Sequence, residues 1–523
     1  MAIAPFDRLL LPRIRQAQRQ RTYARHLIAQ WESSLPGRLL PMLPTLPLPV
    51  RPCAATAAPD QAHMLGAALA QSPRLQLVGG VGSGRSLAIQ QLVQAWANGK
   101  QILPAVYPLV LHLPTAPIQP DEALQNSIRQ GGFDSTKLVV ERGLASGQWC
   151  LILDDWDGLD LANRTIWKSW LLDLAERYPA LPALITTDQA AGVWPGFDAW
   201  TMAPVSSALL EQWLHVLLPD EEPSLLLGPL TSDERVRLVG EHLADLVVLA
   251  QTYASSGFPA NRGRLYATAL DKILRPVAGG DLPRARTALA ALGYHWMTLP
   301  TAPVAPAALR PILEHLNGLI VLEPNGRVQF KVPLFAMFCA ALHIAASQTW
   351  AECDPANPLW KETMPLVAGL MTDPEALYVA VRGAGRPDVM RTLLLGACLR
   401  EHHVPLPGWS TAILGALAQL AKSHPGHAPE VWSLFDNMPS VVAATIAEQL
   451  MSGASGERWT IAFLRMLPAL VAAPYLLDII GDSRLLRSTR RVAALQIQTM
   501  SENAVVQPLS RLAERPLDTC GRI

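Results

Sequence analysis

Leu and Ala recur at helical spacing over most of this chain, and one region breaks the pattern. From Arg74 onward, short apolar runs alternate with helical segments: "LQLVGG" (75–80), "YPLVLHL" (107–113), "WCLILDD" (149–155) and "PALITTD" (182–188) read as strands with helices between them. Alternation of this kind predicts a parallel sheet covered by helices. From about Ala203 to Arg275 the period is helical again. Residues 283–350 give helices followed by "LIVLEPNGRVQFKV" (319–332), two short strands around the Asn325–Gly326 turn, which together make a winged-helix arrangement. Beyond Trp360 the chain is helical segments punctuated by Pro and Gly, such as "VVAATIAEQLMSG", resembling an irregular helical-repeat array without a clean period.

Ahead of the sheet, the first thirty residues or so predict an arginine-rich amphipathic helix, with Leu9, Leu10, Ile14, Ala17, Tyr23 and Ile28 set among Arg8, Arg13, Arg15, Arg19, Arg21 and Arg25. Such a helix suits packing on a neighbour, or a surface for a partner or an anionic membrane. "LPGRLLPMLPTLPLPVRP" follows, too rich in proline for a helix and expected to be an extended linker. The expected organisation is an N-terminal segment (1–35), a linker (36–60), an α/β domain (61–202), a helical domain (203–282), a winged helix (283–350) and a C-terminal helical-repeat-like region (351–523). The fold class is therefore α/β plus α.

Composition narrows the function classes. At 523 residues the chain exceeds one ordinary core. Its 43 basic residues equal its 43 acidic ones, so there is no global attraction to nucleic acid. Cys53, Cys150, Cys339, Cys353, Cys398 and Cys520 show no paired ligand spacing, which points to reduced thiols and against a zinc site. His402 and His403 are adjacent without an evident carboxylate partner and read as surface histidines. The N-terminus has no long apolar core, and no run is long enough to span a bilayer, so a cytoplasmic protein is expected.

The chemistry concentrates in "GGVGSGRS". Gly79, Gly80, Gly82 and Gly84 followed by Arg85 and Ser86 match the phosphate-binding pattern G-x-x-x-x-G-K-[ST] except at the basic residue. Glycines let backbone N–H groups turn inward around phosphates, and the helix that follows presents its positive end to them. Ser86 is the expected magnesium ligand. Arg85 keeps the charge but is a larger planar fork than lysine, so binding can survive while hydrolysis suffers. Ser83, Leu87 and Thr186 complete the expected nucleotide-binding set, with ATP or ADP and Mg2+ as cofactors. In "WCLILDDWDGLD" an apolar strand runs into Asp154, expected to hold magnesium, with Asp155 and Asp157 just beyond; all three are candidate catalytic residues.

These motifs resemble the NACHT nucleotide-binding proteins, members of the STAND class of signal-transduction ATPases related to AAA+ proteins. The resemblance runs from roughly Gln71 to Ala341 and includes "FPANRGRLYATALDKIL" in the helical domain and "VQFKVPLFAMFCAALHIA" at the close of the winged helix. The sequence departs from the family pattern at Arg85, at Gly158 where a catalytic acid often follows, and at Asp188 where the sensor strand usually offers arginine. It also lacks the Asn-Pro pair in "EHLADLVVLAQTY" and carries Val332 where a histidine would reach the phosphates. The resemblance implies an ATP/ADP switch with weak or absent hydrolysis, C-terminal helices that sense a ligand or partner, an effector supplied in trans, and nucleotide-dependent self-assembly. The departures also suit an interaction scaffold that has abandoned chemistry. A DNA-associated ATPase rests only on the winged helix and the arginines, and "APAALRPILEHLNG" carries too little positive charge for groove reading.

Overall fold

The computed structural model describes residues 22, 23, 25, 46–53, 62–98, 107–113, 119–130, 137–159, 161–188, 194–203, 205–278, 281–298, 303–316, 319–323, 325–330, 332–349, 358–383, 388–406 and 408–500. The expected N-terminal helix lies outside this set except for Thr22, Tyr23 and Arg25, as do Cys353 and Cys520. Among the described residues no helix is long and apolar enough to cross a membrane.

A mixed sheet of seven strands carries the α/β part. Its strands are β1 (Pro49–Pro52), β2 (His63–Met64), β3 (Arg74–Val78), β4 (Tyr107–His112), β5 (Trp149–Asp154), β6 (Ala183–Thr187) and β7 (Asp198–Met202), in the order β2-β1-β7-β3-β6-β5-β4. Five of them, β7-β3-β6-β5-β4, run parallel, and β1 pairs antiparallel to β7 and β2. Every residue of β5 and β6 is buried, which is why their sequences read as unbroken apolar runs instead of alternating. The exception inside β3 is Gln76, which is 1% exposed. Its amide is satisfied: Nε2 donates to Thr187 Oγ1 at 2.9 Å and Oε1 accepts from Trp194 N at 2.9 Å.

All four strands expected from sequence form. β1, β2 and β7 were not among them. β1 lies inside the stretch read as an extended linker, so the linker reading is corrected there: Val50 pairs with Met202 and Arg51 with Thr201. Proline at positions 49 and 52 sits at the two ends of β1, where a missing N–H costs the ladder little. Leu46, Leu48 and Val50 are buried along the same stretch.

Helices account for most of the remainder. Around the sheet these are α1 (Leu65–Gln71), α2 (Arg85–Ala97), α3 (Pro120–Gln130), α4 (Lys137–Ala145), α5 (Leu161–Arg177) and α6 (Ser207–Leu217). Then come α7 (Pro223–Ser232), α8 (Glu234–Glu241), α9 (Leu243–Ser256), α10 (Arg262–Ala278), α11 (Leu282–Thr298) and α12 (Arg310–His315). The Asn-Gly hairpin forms as read, with β8 (Ile320–Leu322) antiparallel to β9 (Val328–Phe330) and Gly326 at φ 82° in the turn. It leads into α13 (Pro333–Ser347).

The C-terminal helices are α14 (Pro358–Leu370), α15 (Glu375–Arg382), α16 (Val389–His402), α17 (Trp409–Ser423), α18 (Ala428–Asp436), α19 (Pro439–Met451), α20 (Ala454–Leu464), α21 (Ala469–Gly481) and α22 (Arg487–Gln498). Pro365 and Pro474 fall inside α14 and α21 and do not separate helices there. In α14 the flanking Leu366, Val367 and Ala368 are fully buried, so packing carries the turn that proline weakens.

The chain divides into two compact units. One comprises residues 1–228, 239–254 and 304–334; the other comprises 229–238, 255–303 and 335–523. In the second unit α14 packs on α16 and on α10. There the surface assignment of His402 and His403 is overturned. His402 is 8% exposed with Nδ1 3.2 Å from Ala368 O, and His403 is half-buried in the left-handed conformation that ends α16. Cys339 and Cys398 are buried free thiols, as is Cys150 in the first unit, whereas Cys53 is exposed.

The helix pair α11 and α13 gives a direct test of this packing. A Cβ at Gly293 would run into the Cβ of Cys339 and lie 2.8 Å from Ala336 O, with backbone on the far side unable to yield. Gly293→Ala is expected to destabilise the second unit by about 2 kcal/mol, read as a lowered urea midpoint at unchanged m-value.

Candidate functional site

The C-terminal ends of parallel strands form the crevice where open α/β sheets bind ligands. Here β3 is central, and its end carries the glycine-rich loop. Gly79 N donates to Thr187 O at 3.0 Å, tying the loop's start to β6, and Ser83 N donates to Gly80 O at 3.2 Å. Gly82 at φ 81° and Gly84 at φ 97° adopt left-handed conformations that L side chains rarely enter, so the glycines are a backbone requirement here. Gly84 is the N-cap of α2, and the first turn of that helix leaves N–H groups without intrahelical partners. Leu87 is buried on the underside of the turn.

Two features of the loop fit an anionic, oxygen-rich ligand. Ser83 Oγ is buried with no hydrogen-bond partner, and a Cβ at Gly80 would meet nothing within 4 Å, so the loop is closed on one wall and open on the other. Other elements cover its shoulder. Gly82 O accepts from Ala244 N at 3.3 Å, at the start of α9. Leu334 Cδ2, at the start of α13, lies 3.5 Å from where a Cβ on Gly82 would sit. At Gly84 the corresponding neighbours are Leu243 at 3.3 Å and Leu48 at 3.6 Å. Val332 thus stands two positions from a residue that touches the loop.

The acidic residues meet the loop across β6. Asp154 Oδ1 accepts from Ser86 Oγ at 3.2 Å and from Thr186 Oγ1 at 2.8 Å, while Asp155 N donates to Thr186 Oγ1 at 2.8 Å. His112, at the end of β4, brings Nδ1 to 3.8 Å from Asp154 Oδ2. Burial works to raise the Asp154 pKa, but the His112 contact and the Thr186 and Ser86 hydroxyls outweigh it and hold the carboxyl below the ordinary range. For His112 burial acts downward, yet Asp154 and Asp155 draw the imidazole above its usual value. Asp155 has φ 62°, a left-handed conformation uncommon outside glycine, and burial pushes its carboxyl up.

Arg85 does not point freely into the loop. Its Nη1 donates to Asp157 Oδ2 at 3.1 Å, with the two side chains only 10% and 17% exposed. Arg164 anchors the same turn, Nη2 donating to Asp157 O at 2.6 Å and Nε to Leu159 O at 2.8 Å. Trp156 packs edge-on against Trp194 with centroids 4.5 Å apart. Burial, then the charge of Asp188, push the Asp157 carboxyl up to about 6 against the pull of Arg85. Asp188 therefore acts on Asp157 through its charge.

The structure thus brings Gly79, Gly80, Gly82, Ser83, Gly84, Arg85, Ser86, Asp154, Asp155, Asp157 and Thr186 to one end of the sheet. His112 and Gln76 were missed by sequence reasoning. The available signal for His112 was its position as the last polar residue of an apolar run that leads to the same sheet edge. Among the described residues no three His, Cys, Asp or Glu side chains group as a metal cage. Ser86 and Asp154 are instead a hard two-oxygen pair of the kind that binds Mg2+ together with ligand phosphates. Neither the protein-family models nor the curated proteins match this chain.

The raised Asp157 pKa fixes a pH dependence. The folded state takes up this proton more readily than the unfolded chain, so stability falls as pH rises from about 4 to about 6. Asp157→Asn removes the titration. Relative to that variant, the wild type is expected to gain on the order of 2 kcal/mol between pH 7 and pH 4, read from urea unfolding at both pH values. Equal pH profiles would contradict the burial and ion-pair geometry assigned to Asp157.

Proposed function

We propose that this chain is a magnesium-dependent ATP/ADP-binding switch of the STAND kind, with weak or absent hydrolysis. The observation that carries the proposal is the juxtaposition of a left-handed glycine loop, the α2 N-terminus and a Ser86–Asp154 contact of 3.2 Å. In this reading the amides of the loop other than Ser83 N, together with those of the first turn of α2, cradle the phosphates, Ser83 supplies its unpartnered hydroxyl, and Ser86 and Asp154 hold magnesium. Bound magnesium screens phosphate charge and orients the phosphates. Thr186 orients Asp154 and fixes the backbone of Asp155.

Weak turnover follows from the residues around that core. Gly158 provides no acid beyond Asp157, and its N–H instead donates to Asp155 O at 3.2 Å. Arg85 is held by Asp157, and Asp188 adds a carboxylate where the resemblance expects a cation. Switching is supported by the neighbours of Gly82 and Gly84. Ala244, Leu243 and Leu334 come from a helical segment and from the segment after the hairpin, read as helical domain and winged helix, so a ligand in the loop meets elements that can respond to it. The C-terminal helices are assigned the sensor or partner surface, with an effector supplied in trans and assembly controlled by nucleotide. The engaged Arg85 also favours a second reading, an interaction scaffold that retains the loop without using it.

Ser86→Ala and Gly84→Asp are each expected to abolish the magnesium-dependent rise in melting temperature with ATP or ADP, and Gly84→Asp is also expected to lower the ligand-free melting temperature, because φ 97° strains any side chain at that position. A wild type with no such rise supports the scaffold. Arg85→Lys restores the compact ammonium, and steady-state phosphate release is expected to rise only a few-fold, because Gly158 and Asp188 remain. Brisk turnover by the unmodified chain would refute the assignment of Arg85 as a weakening residue.

A further inference from the structure

The site contains four carboxylates, Asp154, Asp155, Asp157 and Asp188, and one arginine at the phosphate loop. Arg85 is placed to meet the negative charge of a polyphosphate entering it. In the structure that guanidinium already has a counter-ion: Asp157 Oδ2 at 3.1 Å, in a pair that is nearly excluded from solvent. The carboxylate is also fixed from behind. Arg164 grips the backbone at Asp157 and Leu159, and Trp156 is wedged against Trp194, so the turn holds Asp157 in place. The turn begins at Asp155, whose left-handed backbone is a strained start. Meanwhile Ser83 Oγ in the same loop is buried without a partner, which marks the loop as built for a ligand that this pairing does not supply.

We propose that Asp157 is an internal competitor for the phosphates: it holds Arg85 in the ligand-free chain, and polyphosphate binding exchanges Asp157 for phosphate as the partner of that guanidinium. This rests on the nucleotide reading above and adds its regulation. Asp157 acts as a positioning residue through Arg85. A buried ion pair is costly to break when one partner is left uncompensated, and the exchange avoids that cost only if the phosphates reach Arg85 as Asp157 leaves it.

The test is a double-mutant cycle with two readouts on the full chain. Urea unfolding without ligand of the wild type, Asp157→Asn, Arg85→Gln and the double variant reads whether the pair interacts at all; the expected result is clear non-additivity. Calorimetry with Mg2+-ATP and with tripolyphosphate reads the competition. Asp157→Asn is expected to tighten both ligands about tenfold, and the same substitution in the Arg85→Gln background is expected to change them less than twofold. Arg85→Met replaces Arg85→Gln if the latter does not fold. Equal tightening in both backgrounds would mean simple removal of negative charge and would overturn the proposal, as would additive unfolding energies or unchanged affinity in Asp157→Asn. If the pair is non-additive but no variant binds either ligand, the nucleotide reading falls and takes the competition with it, whereas additivity with intact binding overturns the competition alone.

Discussion

A carboxylate buried at the end of β5 is the constraint on which the arrangement around the sheet edge depends. Asp154 is 8% exposed, and an ionised carboxyl at that depth must be met by donors. It is met by Ser86 from the first turn of α2, by Thr186 from β6, and by His112 from β4. One side chain therefore draws together the ends of strands that are far apart in sequence. Thr186 extends the tie by accepting from Asp155 N, which fixes the left-handed residue that turns the chain toward Asp157. Gln76 does similar work one layer deeper, joining β3 to Thr187 and to Trp194.

Charge in this region is apportioned to particular partners. Asp154 is stabilised as an anion by His112, Thr186 and Ser86, whereas Asp155 and Asp157 are pushed toward protonation mainly by burial. The difference lies in donors, since the three carboxylates are separated by only a few positions. Arg85 cannot serve all of them. Its pairing with Asp157 leaves Asp154 to the hydroxyls of Ser86 and Thr186 and to His112.

In the second unit polar groups are used for joining helices. Asn261 caps α10, its Oδ1 accepting from Arg264 N at 2.9 Å, and its Nδ2 donates to Gly369 O at 2.9 Å at the end of α14. Glu401, fully buried in α16, accepts from Arg262 N at 2.8 Å. These bonds satisfy helix ends where α10, α14 and α16 meet, a place where apolar packing alone would leave N–H and C=O groups without partners.

The sequence by itself determined the elements whose signals are local. Unbroken apolar runs marked β3, β4, β5 and β6 because strands buried on both faces need no polar positions, and Asn325–Gly326 marked the hairpin because its turn needs a positive φ. The glycine spacing identified the loop, and the acids after β5 identified the edge it faces. Tertiary structure decided what depends on neighbours distant along the chain. Proline at 49 and 52 looked like linker until β7 supplied a partner strand, and His402 looked exposed until α14 covered it. Arg85 carries a cation that the sequence placed at the loop, and the fold gave it Asp157 as a counter-ion. A lone sequence records which groups a residue can bond, and only the folded chain, through burial and distance, selects which of them it does.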